Sequence, residues 1–130
     1  MIDWSELRDD NRSHVLRAGI PVGGRTLTEL EQVYPQLQLG TPRAEKAFLK
    51  QLQRLLPTDS KPIIATDAGF RSPWFRAVVK LGWNYVGWLR HTTRIKLDGA
   101  DHWFDNRKLY ESASGKPQRC HHVTILQPAT

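Results

Sequence analysis

The chain has 130 residues, 39% of them hydrophobic and 25% charged, which allows one domain with a single core and excludes a disordered polar tail. Its net charge is +6. No apolar run approaches the roughly 18 residues of a membrane span. The start, Met1-Ile2-Asp3-Trp4-Ser5-Glu6, is unlike a secretory signal, so a soluble cytoplasmic protein without a membrane partner is expected.

Met1-Ile2 and Asp3 read as the last residues of a strand. His14 to Val22 reads as extended, with Pro21 placing its end at a sheet edge. Gly23-Gly24 is a two-residue hairpin signal. The return segment, Arg25 to Tyr34, has two solutions. Thr26 and Glu29 match a capping box with Leu27, Leu30 and Tyr34 at helical spacing, whereas the preceding glycine turn favours a strand. Thr41 is placed to cap a helix whose first residue is Pro42, with Ala44, Ala47, Phe48, Leu52 and Leu55 on one face and Pro57 as the stop.

Pro62-Ile63-Ile64-Ala65-Thr66 lacks alternation, as expected of a strand buried on both faces, and it ends in Asp67-Ala68-Gly69-Phe70. Ser72-Pro73 repeats the cap-and-proline start for a helix with Trp74, Val78 and Leu81 as its stripe, which Gly82 terminates. Trp83 to Leu89 reads as another strand, so the order predicts an α/β sheet covered by helices. Beyond Arg90, Thr92 to Leu97 alternates as a strand, Asp98-Gly99 is a turn, Ser112 to Gln118 is a polar loop, and Val123 to Leu126 suits a short strand.

Cys120 is a single cysteine, which excludes an intramolecular disulfide. With His121 and His122 it suggests a metal, but three consecutive residues converge poorly on one ion and no second cluster has zinc-finger spacing. The charge is uneven: residues 1–65 hold nine Lys/Arg against eight Asp/Glu, and residues 66–130 hold ten against five. Such a bias suits a polyanion, although a solvated basic surface accounts for it equally well.

Two acids carry the candidate chemistry. Ligand sites in open α/β sheets gather beyond the carboxyl ends of strands, where Asp67 is expected, and Asp3 is the natural partner on a neighbouring strand. Such a pair holds Mg²⁺, a hard cation that takes oxygen ligands and keeps water for substrate phosphates. The competing explanation is local: Asp67 opens an Asp-Ala-Gly turn, and Asp3 caps a turn of its own.

The block from Asp67-Ala68-Gly69-Phe70-Arg71-Ser72-Pro73-Trp74-Phe75-Arg76-Ala77-Val78 through Leu81-Gly82-Trp83-Asn84-Tyr85-Val86-Gly87 resembles the second-aspartate block of bacterial insertion-sequence DDE transposases. The family is the one numbered four, of the Tn-five type. Asp3-Trp4-Ser5 resembles its first-aspartate block, and Ala18-Gly19-Ile20-Pro21-Val22 with Gly24-Arg25 the stretch after it. The likeness runs in order from Asp3 to about Arg90 and continues more weakly to about Trp103.

The resemblance implies an incomplete RNase-H-like core over residues 1–90, a mixed sheet flanked by helices, followed over 91–130 by the start of a β-rich insertion. It implies cleavage and strand transfer of DNA by two-metal phosphoryl transfer with Mg²⁺ or Mn²⁺, with Asp3 and Asp67 as catalytic metal ligands. The implied partners are insertion-sequence ends and target DNA, on which full-length relatives act as dimers. Arg71, Arg76 and Arg90 are candidate phosphate contacts. Trp74, Phe75, Trp83 and Trp88 are candidates for stacking on bases, although tryptophans of amphipathic elements more commonly belong to a core.

Two departures stand out. Trp88 follows Gly87 where the family places arginine. The third acid, a glutamate in a tyrosine-arginine-glutamate-lysine pattern, has no counterpart: Glu111 has Asp105 six residues before it, and Ala113 stands three after Tyr110. A fragment truncated at both ends and inactive alone is therefore expected. The alternatives are a non-catalytic DNA-binding or transposase-interfering module, and a non-functional remnant.

Overall fold

A computed structural model describes residues 1–90 and 93–126, and the chain divides into two compact units, Met1–Trp88 and Leu89–Thr130. In the first unit, β1 (Ile2–Glu6), β2 (Ser13–Val22) and β3 (Arg25–Pro35) form an antiparallel meander. Helix α1 (Pro42–Leu55) leads to β4 (Ile63–Thr66), and α2 (Ser72–Lys80) leads to β5 (Asn84–Gly87). The sheet order is β3-β2-β1-β4-β5, with β1, β4 and β5 mutually parallel, so the unit is a mixed α/β layer.

Local chemistry accounts for most boundaries. Gly23 and Gly24 have φ of 56° and 77°, the left-handed pair that a tight hairpin turn requires, and they settle Arg25–Pro35 as a strand. The Thr41 side chain accepts the N–H of Ala44, and Pro42 begins α1. Helix α2 departs by one residue from the expected start: Arg71 holds the N-cap position, with no side-chain capping bond, and Ser72 lies inside the helix. A 3₁₀ turn at Gln36–Gln38, not expected from the sequence, joins β3 to α1.

The core lies on one face of the sheet. Ile2, Leu16, Ala18, Tyr34 and Ile64 point from the strands toward Ala44, Phe48, Leu49 and Leu52 of α1 and toward Trp74 and Val78 of α2. The buried stripe of α1 is rotated from the predicted one, because Glu45 and Leu49 are inside while Ala47 and Leu55 are exposed. Fully burying a large apolar side chain contributes roughly 1.5–3 kcal/mol, and Phe48, Trp74 and Val78 are all within 1% of complete burial.

One expectation for the first strands needs correction. Asp3 does not end a strand: β1 continues through Trp4 and Ser5 to Glu6, because Trp4 packs on the core and every residue of the segment pairs with β2. The expectation that Pro21 ends the second segment at a sheet edge holds locally: β2 lies between β3 and β1, but among the described residues its last residues pair with β3 alone. Pro21 is accommodated because the β1–β2 pairing register ends at Ile2↔Ala18, three residues short of it.

In the second unit, β6 (Arg94–Lys96) pairs antiparallel with both β7 (Phe104–Asp105) and β8 (Thr124–Leu126). Helix α3 is a single turn, Lys108–Glu111, and Gly99 at φ 76° makes the expected turn. Thr92, the predicted start of the alternating strand, lies outside the described residues. Ile95 is 1% exposed, and Asn106 ties the unit internally by donating its Nδ2–H to the Arg90 carbonyl at 2.8 Å and its backbone N–H to the Thr93 carbonyl at 3.0 Å.

Candidate metal centre

Parallel pairing of β1 with β4 is registered at one position, Ile2↔Thr66. Asp3 follows Ile2 within β1 and Asp67 is the first residue beyond the end of β4, so an aspartate stands one residue past each member of the registered pair. Paired strands lie ~4.8 Å apart, the spacing at Ile2 and Thr66. Asp3 is half-buried and Asp67 is exposed. Alternation along β1 puts Ile2 and Trp4 toward the helices and Asp3 on the opposite face of the sheet.

Asp3 stands in a charged row on that face. Its cross-strand partner is Arg17, whose Nε–H donates to Glu31 on β3. The ammonium of Met1 donates to the Gly19 carbonyl at 2.7 Å; burial lowers its pKa and the nearby Asp3 carboxylate acts in the opposite direction.

Asp67 does open the turn that its sequence suggests. Its Oδ1 accepts the Gly69 N–H at 2.8 Å, and a Cβ at position 69 would come within 2.9 Å of that oxygen, so a larger residue there would push the carboxylate aside. The turn engages Oδ1 and thereby fixes the direction of the carboxylate. Turn residue and ligand are compatible roles for one side chain.

The donor set suits a hard cation. Two carboxylates at neighbouring positions can hold Mg²⁺ or Mn²⁺ while water fills the remaining sites. Among the described residues, no group of three or more His, Cys, Asp or Glu could hold a metal. Glu111 is exposed on the one-turn helix α3 of the second unit. Cys120, His121 and His122 are exposed as well.

The basic and aromatic candidates separate by burial. Arg71 and Arg76 are exposed on the cap and body of α2, downstream of Asp67, and Arg90 is exposed in the second unit. Trp74 and Trp83 are core residues at 1% and 6% exposure, and Phe75 stacks on Tyr85 with ring centroids 4.6 Å apart. Trp88 is 74% exposed, which leaves it accessible for stacking.

One titratable group was absent from the sequence expectations. Glu45 is 5% exposed, and burial is the main cause that pushes its carboxyl up to about 7. Its Oε1 accepts the Trp4 Nε1–H at 3.4 Å, which acts in the opposite direction, and the Trp4 ring meets Tyr34 edge-on at 5.5 Å. The signal in the sequence was spacing: positions 44, 45, 48, 49 and 52 form a better helical stripe than the purely apolar one. Comparisons of the chain with family models, with curated proteins and with solved structures returned no match.

Proposed function

We propose that the first unit is the metal-binding part of a DDE-transposase-type, RNase-H-like catalytic core, in which Asp3 and Asp67 hold a divalent cation against a DNA phosphate. The observation that supports this is the Ile2↔Thr66 register, with an aspartate one residue past each member of the pair. The mixed sheet with helices packed on it is the class of scaffold such a core requires.

Bound Mg²⁺ or Mn²⁺ supplies activation of an attacking oxygen and neutralisation of the leaving one. The protein's share is positional. Gly69 fixes the Asp67 carboxylate, β1 fixes Asp3, and Arg71 and Arg76 add positive charge along α2 for phosphate oxygens. Two carboxylates can recruit one water-rich ion, but a second ion ordinarily needs another protein oxygen. Transition-state stabilisation depends on both ions together, so this polypeptide alone is inactive.

The test has two parts. Titration with Mn²⁺ should broaden the backbone amide resonances of residues 2–4 and 66–69 before others, and Asp67→Ala should abolish that selectivity. Broadening spread evenly over acidic surface residues would remove the metal assignment. Supercoiled plasmid incubated with the protein and Mg²⁺ or Mn²⁺ should stay intact; nicking that disappears in Asp67→Ala would show that another residue completes the ligand set.

A second function, non-catalytic DNA binding, is favoured by the ten Lys/Arg against five Asp/Glu in residues 66–130 together with the exposed Trp88. It calls for an affinity that falls steeply with salt and is unaffected by Asp67→Ala.

A further inference from the structure

Helix α1 carries its positive charge on a single ridge. At 3.6 residues per turn, Arg43, Lys46, Lys50 and Arg54 fall within about 80° of arc, opposite the buried Ala44, Glu45, Phe48, Leu49 and Leu52. All four are exposed, and the other exposed residue of that arc is Ala47. The ridge is about 16 Å long, and its last three cations follow at four-residue intervals, about 6 Å apart along the axis. No ion pair among the described residues engages any of them; those present join Arg17 to Glu31 and Arg107 to Asp105. The one carboxylate of the helix, Glu45, is buried on the far side.

This arrangement works against the helix that carries it. A solvated helix face ordinarily mixes the two signs, whereas Lys46 with Lys50 and Lys50 with Arg54 are like-charge pairs at i, i+4, which repel. Arg43 stands in the first turn, where the helix dipole disfavours a cation, and only Arg54, in the last turn, suits its place. A bound polyanion removes the conflict. The near-balance of residues 1–65 conceals the ridge, because every acid there except Glu45 lies outside α1. The chemistry of the ridge narrows the partner. Lys and Arg are donors only, matched to phosphate oxygens. The outer arc has no aromatic ring on which an unpaired base could stack, which favours a duplex over a single strand. The apolar face of α1 is taken up by the core, so the helix has none to lay into a lipid surface.

We propose that the outer ridge of α1 is a sequence-independent docking surface for duplex DNA, on which Arg43, Lys46, Lys50 and Arg54 each take a phosphate oxygen of the backbone. Affinity comes from release of the counterions those phosphates hold, and the ridge positions the duplex without reading its bases. Helix α1 covers the face of the sheet opposite to Asp3, so this surface is separate from the candidate metal centre and does not depend on metal binding there.

The probe is a fluorescein-labelled DNA duplex of mixed sequence, about two helical turns long, in EDTA so that no divalent cation takes part. It should bind the 130-residue polypeptide saturably, and equally well when its sequence is scrambled. Lys46→Gln, Lys50→Gln and Arg54→Gln together should weaken binding at least ten-fold without lowering the thermal midpoint, because the like-charge pairs are gone. Lys50→Gln alone should reduce the dependence of log affinity on log salt by about 0.9. Arg8→Gln, Arg12→Gln and Arg25→Gln together remove the same charge from exposed positions off the ridge and should change affinity less than three-fold. Should the ridge variant not fold, the unaltered protein decides: added duplex should shift the amide resonances of residues 43–54 before those of 71–76 and 94–119. Equal weakening by the two threefold variants, absence of saturable binding, or first shifts outside residues 43–54 would each overturn the proposal. So would equal affinity for poly-glutamate, or binding to phosphatidylserine vesicles in place of the duplex.

Discussion

The two units are built on different balances of the same forces. In Met1–Trp88, two helices cover one face of a five-stranded sheet, and a continuous cluster from Ile2 to Trp83 is withdrawn from water. In Leu89–Thr130 the strands are two or three residues long, Ile95 is the buried hydrophobic residue among those described, and Thr93 and Asn106 supply the rest of the buried set. Short strands over a small core are marginal by themselves, because little apolar area offsets the cost of ordering the backbone. Stability in the first unit therefore rests on extensive packing, and in the second on a small core at Ile95 and the Asn106 bonds to the Arg90 and Thr93 carbonyls.

The largest test of this contrast is truncation of each core. Phe48→Ala should destabilise the first unit by about 3–5 kcal/mol, read from urea midpoints. Ile95→Ala should cost about 2–4 kcal/mol and lower amide protection at Arg94–Lys96. A loss below about 1 kcal/mol for Phe48→Ala would contradict a packing-dominated first unit.

Next comes pH. Burial raises the Glu45 carboxyl to about 7 from its ordinary 4.5, so the folded state holds this proton more tightly than the unfolded chain. The sign follows: stability from this group is full below pH 4.5, falls as pH rises toward 7, and is level above that. The decline is up to about 3 kcal/mol at 1.36 kcal/mol per pH unit. Glu45→Gln keeps an acceptor for the Trp4 indole and should flatten the profile, stabilising the protein at pH 8 but not at pH 4. Equal pH profiles for the two proteins would remove Glu45 as the cause.

A smaller effect is expected at Gly87, where an added Cβ would come within 2.5 Å of the Phe75 ring. Gly87→Ala should cost about 1–2 kcal/mol, because the half-buried ring can shift only partly. Phe75→Leu in the same background should recover part of that loss. The smallest is Thr41→Ala, which removes the oxygen accepting the Ala44 N–H and should lower stability by about 1 kcal/mol without affecting the second unit's amides.

What the sequence disclosed follows the range of each interaction. Thr41-Pro42, Gly23-Gly24 and Gly82 act within a few residues, and the boundaries they signal are present. The short β4 followed by an aspartate was legible for the same reason, but its expected burial on both faces is not met, since the core lies on one face and Ile63 is 65% exposed. The burial of Glu45 was not, because charged residues are ordinarily assigned to the solvent side, and only the partner indole of Trp4 accommodates this one. The continuation of β1 through Ser5 was hidden because its pairing partners lie in β2. For the candidate site, the two acids and the turn at Asp67 were legible, but the strand register was not: no local pattern specifies that Ile2 stands beside Thr66.

That single register has a kinetic consequence. The β2–β3 hairpin closes over two glycines and can form in about 1–10 μs, whereas Ile2 and Thr66 meet only after the 63 positions between them have been drawn together. Asp3 and Asp67 are thus expected to become neighbours late, when α1 and α2 already cover the sheet. Gly24→Ala should then mainly slow folding, while Ile64→Val should mainly speed unfolding, as stopped-flow chevrons would show. The reverse partition would place the β1–β4 contact in the folding nucleus. In the expected order, the meander exists before the acidic pair, and any cation that needs both carboxylates stabilises the finished fold without guiding the chain toward it.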